Sequence, residues 1–175
     1  MLKQRHKNAG FTIVELLIVV VVIAILAAIS IVAYTGIAGR ASNSAVQTDL
    51  RNISEKIAEY QVLNGRYPTG QTALYSGSGY GPIQGVDSYA FVKSAYSTDS
   101  NNIQYCEGGG KFAIGAVAKT GKVYYYSTDG GLKEYAGAWG NANDNCPGML
   151  GSVSGTITQS YAYRQSDNSW SAMAK

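Results

Sequence analysis

The sequence predicts an α+β protein in which one long N-terminal helix packs on an antiparallel β-meander. Three observations lead there. Residues Leu16 to Ala33 (LLIVVVVIAILAAISIVA) are apolar on every face of a helix, with Ser30 the one polar side chain. Beyond them Val46, Leu50, Ile53, Ile57 and Tyr60 recur at spacings of three and four, the period of a one-sided helix. Residues 111–135 then alternate apolar and polar between glycine-rich reversals, as strands do. Composition sets the outer bounds. Charged residues make up only 14% of the 175, which excludes a charged disordered chain. The net charge of +3 is local, because Lys3, Arg5 and Lys7 supply it and the remaining residues hold 11 basic and 11 acidic side chains. A general affinity for nucleic acid does not follow.

The 18 residues from Leu16 to Ala33 rise roughly 27 Å as a helix, about the thickness of a bilayer's hydrocarbon. A soluble core helix keeps a polar stripe and this one has none, so it is expected to span a membrane. Three fixed positive charges precede the span and Arg40 alone lies just beyond it. The bias toward cytoplasmic basic residues therefore puts the N-terminus in the cytoplasm and the chain after about Gly36 outside. A secretory signal or an uncleaved signal anchor shares this plan. Glu15 fits neither, since a carboxylate at the mouth of an apolar run is costly and calls for a partner.

The stretch KNAGFTIVELLIVVVVIAILAAI resembles the class III signal of type IV pilins and type II secretion pseudopilins. The resemblance covers about 25 residues in the sense of a local motif, and its parts are the short basic leader, Gly-Phe-Thr, the glutamate and the long aliphatic run. It implies that a prepilin peptidase cuts between Gly10 and Phe11, that Phe11 is N-methylated, and that Glu15 pairs with the N-terminal amine of a neighbouring subunit during assembly. It also implies a division into a leader (1–10), a transmembrane and assembly helix (11–36), an amphipathic continuation (37–64) and a β-rich globular head (65–175).

From Phe11 to Leu63 a single helix would run on the order of 80 Å, with Gly36 and Gly39 offering a bend at the membrane exit. Asp49, Arg51, Asn52, Glu55, Lys56 and Glu59 are assigned to faces other than the apolar stripe. Asn64-Gly65 and Pro68 supply the stop, and NGRYPTG (64–70) also resembles the helix-to-loop passage of many pilins. Residues 70–88 read as a Gly-rich surface connection. Their GSGYG is no phosphate loop, for no apolar strand precedes it and no amphipathic helix follows.

In the head, Phe112, Ile114, Ala116 and Ala118 alternate onto one face, and Thr120-Gly121 turns the chain. Val123 and Tyr125 share a face, with Tyr124 and Tyr126 on the other, and Asp129-Gly130-Gly131 makes a second reversal toward Leu132. Weaker strands are expected at Tyr89 to Val92, Ile103 to Cys106 and Tyr161 to Arg164.

Little catalytic chemistry is available. The only histidine, His6, lies in the leader, so Ser-His and Cys-His pairs and His-containing zinc sites are absent from the chain after Gly10; no enzyme is expected. Asn141 to Asn145 (NANDN) invites a calcium reading, but Asp144 is its one carboxylate and turn chemistry is preferred; no cofactor is expected. The 14 tyrosines are read as strand and interface residues, since no Lys or Arg cluster joins them to specify nucleic acid. Cys106 and Cys146 fall in the part expected outside, where disulfides persist, with two free buried thiols as the alternative. The resemblance implies that they bound a disulfide loop of the pilin type.

The sequence therefore points to a structural subunit of a type IV pilus-like surface filament, inserted in the cytoplasmic membrane, processed, and polymerised with identical subunits on an inner-membrane assembly platform, with minor pilins as further partners. A major pseudopilin of a type II secretion system is the nearest alternative, because the usual pilin proline of the span falls at Val32. A monomeric membrane-anchored extracellular binding module is the second.

Overall fold

The computed structural model describes residues 11–68, 91–98, 102–140, 142–151, 158–161, 163–164 and 169–170. The expected 70–88 connection and the first two residues of the expected strand at Tyr89 to Val92 lie outside them. The chain divides into two compact units, one ending at Ala38 and the other beginning at Gly39. Helix α1 (Ile13–Asn64) contributes to both.

In the first unit α1 is exposed at every position, including Leu16, Ile23, Ile29 and Val32. In the second unit the same helix changes character. Val46, Leu50, Ile53 and Ile57 are fully buried, as their spacing predicts, and their burial contributes about 1.5–3 kcal/mol each, whereas Tyr60, the last of the expected stripe, is half-buried. They form one cluster with Ile103, Tyr105, Phe112, Ile114, Ala116, Ala118 and Tyr124. The helix stops where Asn64-Gly65 indicated: Gly65 has φ +70° and its N–H donates to Gln61 O at 2.8 Å.

Asp49 departs from its expected place on an outer face. It is buried on the apolar stripe because two distant groups satisfy it: the Val92 N–H donates to its Oδ2 at 3.1 Å and the Tyr96 hydroxyl at 2.7 Å. The same segment corrects a second expectation. Phe91 and Val92 are not a strand; they lead into a single 3-10 turn at Lys93–Ala95, and Tyr96 then bridges to Ala118. A local apolar run suggested extended structure here, but the segment instead seats Phe91 and Tyr96 edge to face at 5.6 Å and gives Asp49 its two donors.

Strands β1 (Ile103–Gly108), β2 (Lys111–Val117), β3 (Val123–Ser127) and β4 (Gly131–Glu134) form an antiparallel meander. A fifth strand, β5 (Thr158–Tyr161), returns to the other side of β1, giving the order β4-β3-β2-β1-β5. The sheet is thus a meander plus one crossover strand. β6 (Tyr163–Arg164) and β7 (Ser169–Trp170) make a separate two-stranded ribbon. The expected strand at Tyr161 to Arg164 is accordingly divided between the end of β5 and β6. The β1–β2 hairpin turns on Gly109 and Gly110, both at positive φ (59° and 73°), which the twist of a tight hairpin requires and glycine adopts freely.

One sheet face carries Tyr105, Ile114 and Tyr126 as cross-strand neighbours and belongs to the cluster with α1. Burial raises the Tyr105 hydroxyl well above its ordinary ionisation range, and that hydroxyl donates to Pro68 O at 2.8 Å. The opposite face carries Cys106, Ala113 and Tyr125, and helix α2 (Ala142–Leu150) covers it with Cys146, Met149 and Leu150.

Replacing Asp49 by Ala is expected to destabilise the protein by about 1–3 kcal/mol, because the Tyr96 hydroxyl and the Val92 N–H lose their acceptor. Thermal unfolding of the detergent-solubilised chain checks this, and an unchanged midpoint would contradict the role given to Asp49.

Candidate membrane and assembly site

The helix begins with a reciprocal cap. The first N–H groups of any helix lack intrahelical acceptors. Here the Thr12 N–H donates to Glu15 Oε2 at 2.8 Å, the Thr12 hydroxyl donates to the same oxygen at 2.7 Å, and the Glu15 N–H donates to Thr12 Oγ1 at 3.2 Å. This is a capping box, Thr-x-x-Glu, placed just before the apolar run. Glu15 was expected to need a partner; within the chain that partner is Thr12, a residue sequence reasoning passed over although the box spacing was there to find. Phe11 stands 84% exposed immediately before the cap, and Gly10 lies outside the described residues.

Further along, the Ser30 and Thr35 hydroxyls are satisfied internally. Ser30 Oγ donates to Leu26 O at 2.7 Å and Thr35 Oγ1 to Val32 O at 3.0 Å. Neither therefore presents an unmet donor to an apolar solvent. Among the described residues, α1 is the one helix long and apolar enough to cross a membrane, and none of its apolar window is buried.

The head is tied across its second face by two adjacent links between β1 and α2. Cys106 and Cys146 are joined in a disulfide with Cα atoms 5.6 Å apart, and both are fully buried. Beside it, Asn145 Nδ2 donates to Gln104 Oε1 at 2.8 Å. The Asn145 amide also grips the peptide of Gly140, donating to its O at 3.0 Å and accepting from its N at 3.1 Å, while Gln104 Nε2 donates to the same O at 2.8 Å. Asn141 is outside the described residues, but Ala142 to Asn145 form the first turn of α2 where turn chemistry was expected. The reason is tertiary: Pro147 inside the helix removes one backbone donor, and the disulfide and the Asn145 bonds hold the segment in place. Among the described residues no group of three His, Cys, Asp or Glu side chains is placed to hold a metal ion.

An exposed apolar helix with a capped acidic mouth, joined to a disulfide-tied α+β head, defines a membrane-anchored protein with a pilin-like fold. Residues 5–31 match the family model of the prokaryotic N-terminal methylation motif, the prepilin signal of type IV pilins and pseudopilins. That motif supports a protein of the type IV pilin or pseudopilin family. No curated protein and no solved structure matches the chain.

Removing the disulfide by the paired change Cys106→Ser and Cys146→Ser is expected to lower stability by about 4 kcal/mol, the chain-entropy value for a loop of this size. Urea unfolding of the two forms measures it. A loss well under 1 kcal/mol would assign the rigidity of this face to the Gln104–Asn145 link instead.

Proposed function

We propose that the protein is a non-enzymatic structural subunit of a type IV pilus-like surface filament. The observation that carries the reading is the exposed apolar surface of α1 that follows Thr12 and Glu15. Such a helix is stable in lipid, and equally among copies of itself, where side-chain packing replaces lipid contacts. The subunit is inserted with its N-terminus in the cytoplasm. Prepilin peptidase cuts between Gly10 and Phe11, Phe11 is N-methylated, and an inner-membrane platform assembles identical subunits into a fibre, with the head forming the coat. Glu15 supports docking by meeting the amine of a neighbouring subunit. No cofactor takes part.

Val32 favours a second reading. It stands where the pilin family usually has a proline, and this departure leaves room for a major pseudopilin whose short filament serves a secretion machine.

Two measurements test the reading. Mass spectrometry of the membrane-extracted protein is expected to find an N-terminal Phe11 heavier by one methyl group; any other terminus would sink the processing step. Glu15→Ala is expected to be cleaved normally yet yield few or no fibres by immunogold electron microscopy. Fibres equal to those of the unaltered chain would remove the assembly role, and a chain that never forms fibres would return the monomeric binding module.

A further inference from the structure

One surface of the head is built like a ligand site. A cleft of about 700 Å³ opens beyond the β2–β3 turn, lined by Thr120, Lys122, Val123, Glu134, Tyr135 and Trp139 among others. Its apolar wall is a fixed aromatic pair. Tyr135 and Trp139 meet edge to face at 6.0 Å, and Tyr135 is held in the same way by Tyr125 at 5.9 Å.

Glycine makes room for this wall. A Cβ on Gly115 would lie 2.9 Å from Trp139 Cη2 and 2.6 Å from Met149 Sδ, so the indole is seated where only glycine lets it approach the sheet. A Cβ on Gly148 would come within 2.7 Å of the Tyr135 hydroxyl. The rings are thus ordered before any ligand arrives, and ordering them costs little on binding.

The polar wall is an ion pair. Lys122 Nζ donates to both carboxylate oxygens of Glu134, at 2.9 and 3.1 Å, and this contact raises the Lys122 pKa. The pair is neutral as a unit and keeps unused capacity: Nζ has a third proton, and the carboxylate has further lone pairs. A charged ligand would have to compete with one partner for the other. A neutral ligand carrying several hydroxyls donates to Glu134 and accepts from Lys122 without separating them. Its apolar C–H surface at the same time suits the aromatic wall.

We propose that this cleft binds a neutral saccharide, with the sugar face against Trp139 and its hydroxyls on the Lys122–Glu134 pair. The site belongs to the head alone, so it stands or falls separately from the filament reading.

The test uses the full chain in a sugar-free detergent and saturation-transfer NMR with lactose, maltotriose and chitotriose, and with sialyllactose as the anionic control. Saturable binding of at least one neutral sugar at millimolar concentration is expected. Glu134→Gln is expected to weaken it about tenfold, the loss of one charge-assisted hydrogen bond. Trp139→Phe, which keeps a ring over Gly115, should weaken it while the unfolding midpoint stays close to that of the unaltered chain. No binding by any neutral sugar, binding of sialyllactose alone, or binding indifferent to both substitutions would each overturn the proposal.

Discussion

A single helix has to satisfy two different surroundings along its length, and the rest of the structure follows from how it does so. Between Leu16 and Ala33 the side chains of α1 are apolar on every face but for Ser30, and each position of the helix up to Ala38 is exposed. From Gly39 onward the buried apolar residues include the stripe Val46, Leu50, Ile53 and Ile57, which packs in one cluster with the sheet and with Phe91, Ala95 and Tyr96. The backbone does not mark the change, since the helix is assigned without interruption through Gly36 and Gly39. Side-chain pattern alone divides the part that needs lipid or other helices from the part that needs a sheet.

The demand of that stripe fixes one face of the sheet, and the second face then needs its own cover. A chain this poor in long aliphatic residues past the helix does not meet that demand with a large helix. It uses the nine-residue α2, a disulfide, a buried amide pair and aromatic rings. Each device compensates for another's weakness. Pro147 deprives α2 of a backbone bond, yet its neighbour Cys146 is covalently tied to β1, and Asn145 holds both Gly140 and Gln104. Gly115, which weakens a strand by itself, admits Trp139 and Met149 to the sheet surface.

What could be read from the sequence divides along the same line. Period is a local property, so the helical stripe and the alternation of Phe112, Ile114, Ala116 and Ala118 were legible, and all of these residues are buried except Tyr60, the last of the stripe, which is half-buried. The Asp129-Gly130-Gly131 reversal was legible from turn chemistry, and β3 and β4 do pair across it. Asp49 was not, because its burial depends on Val92 and Tyr96, 43 and 47 residues away. Nor was α2, whose sequence ANDNCPGML contains strong turn formers and is helical through contacts made elsewhere. At the membrane site Gly10, Phe11 and Glu15 were identified from motif resemblance. Thr12 was not, because its role depends on the Glu15 side chain turning back onto its own helix start rather than toward a partner.

That donor bears on the proposed assembly. A lone carboxylate in lipid would be a strong pull toward any cation, and docking would relieve an unmet charge. In this chain the carboxylate already accepts two hydrogen bonds from Thr12 on one oxygen, Oε2. A carboxylate has about four acceptor positions, so Oε1 remains for an incoming ammonium without dismantling the cap. On the proposed processing, the new amine would appear one residue before Thr12, at the positive end of the same helix, where it is repelled by the dipole unless an acceptor is near. On that proposal the cap serves two ends: it turns the Glu15 carboxylate back onto the start of its own helix, and it leaves Oε1 to accept from a neighbour's amine. On the same proposal, selectivity for a neighbour would come from an acceptor already partly satisfied within its own helix rather than from an unmet charge.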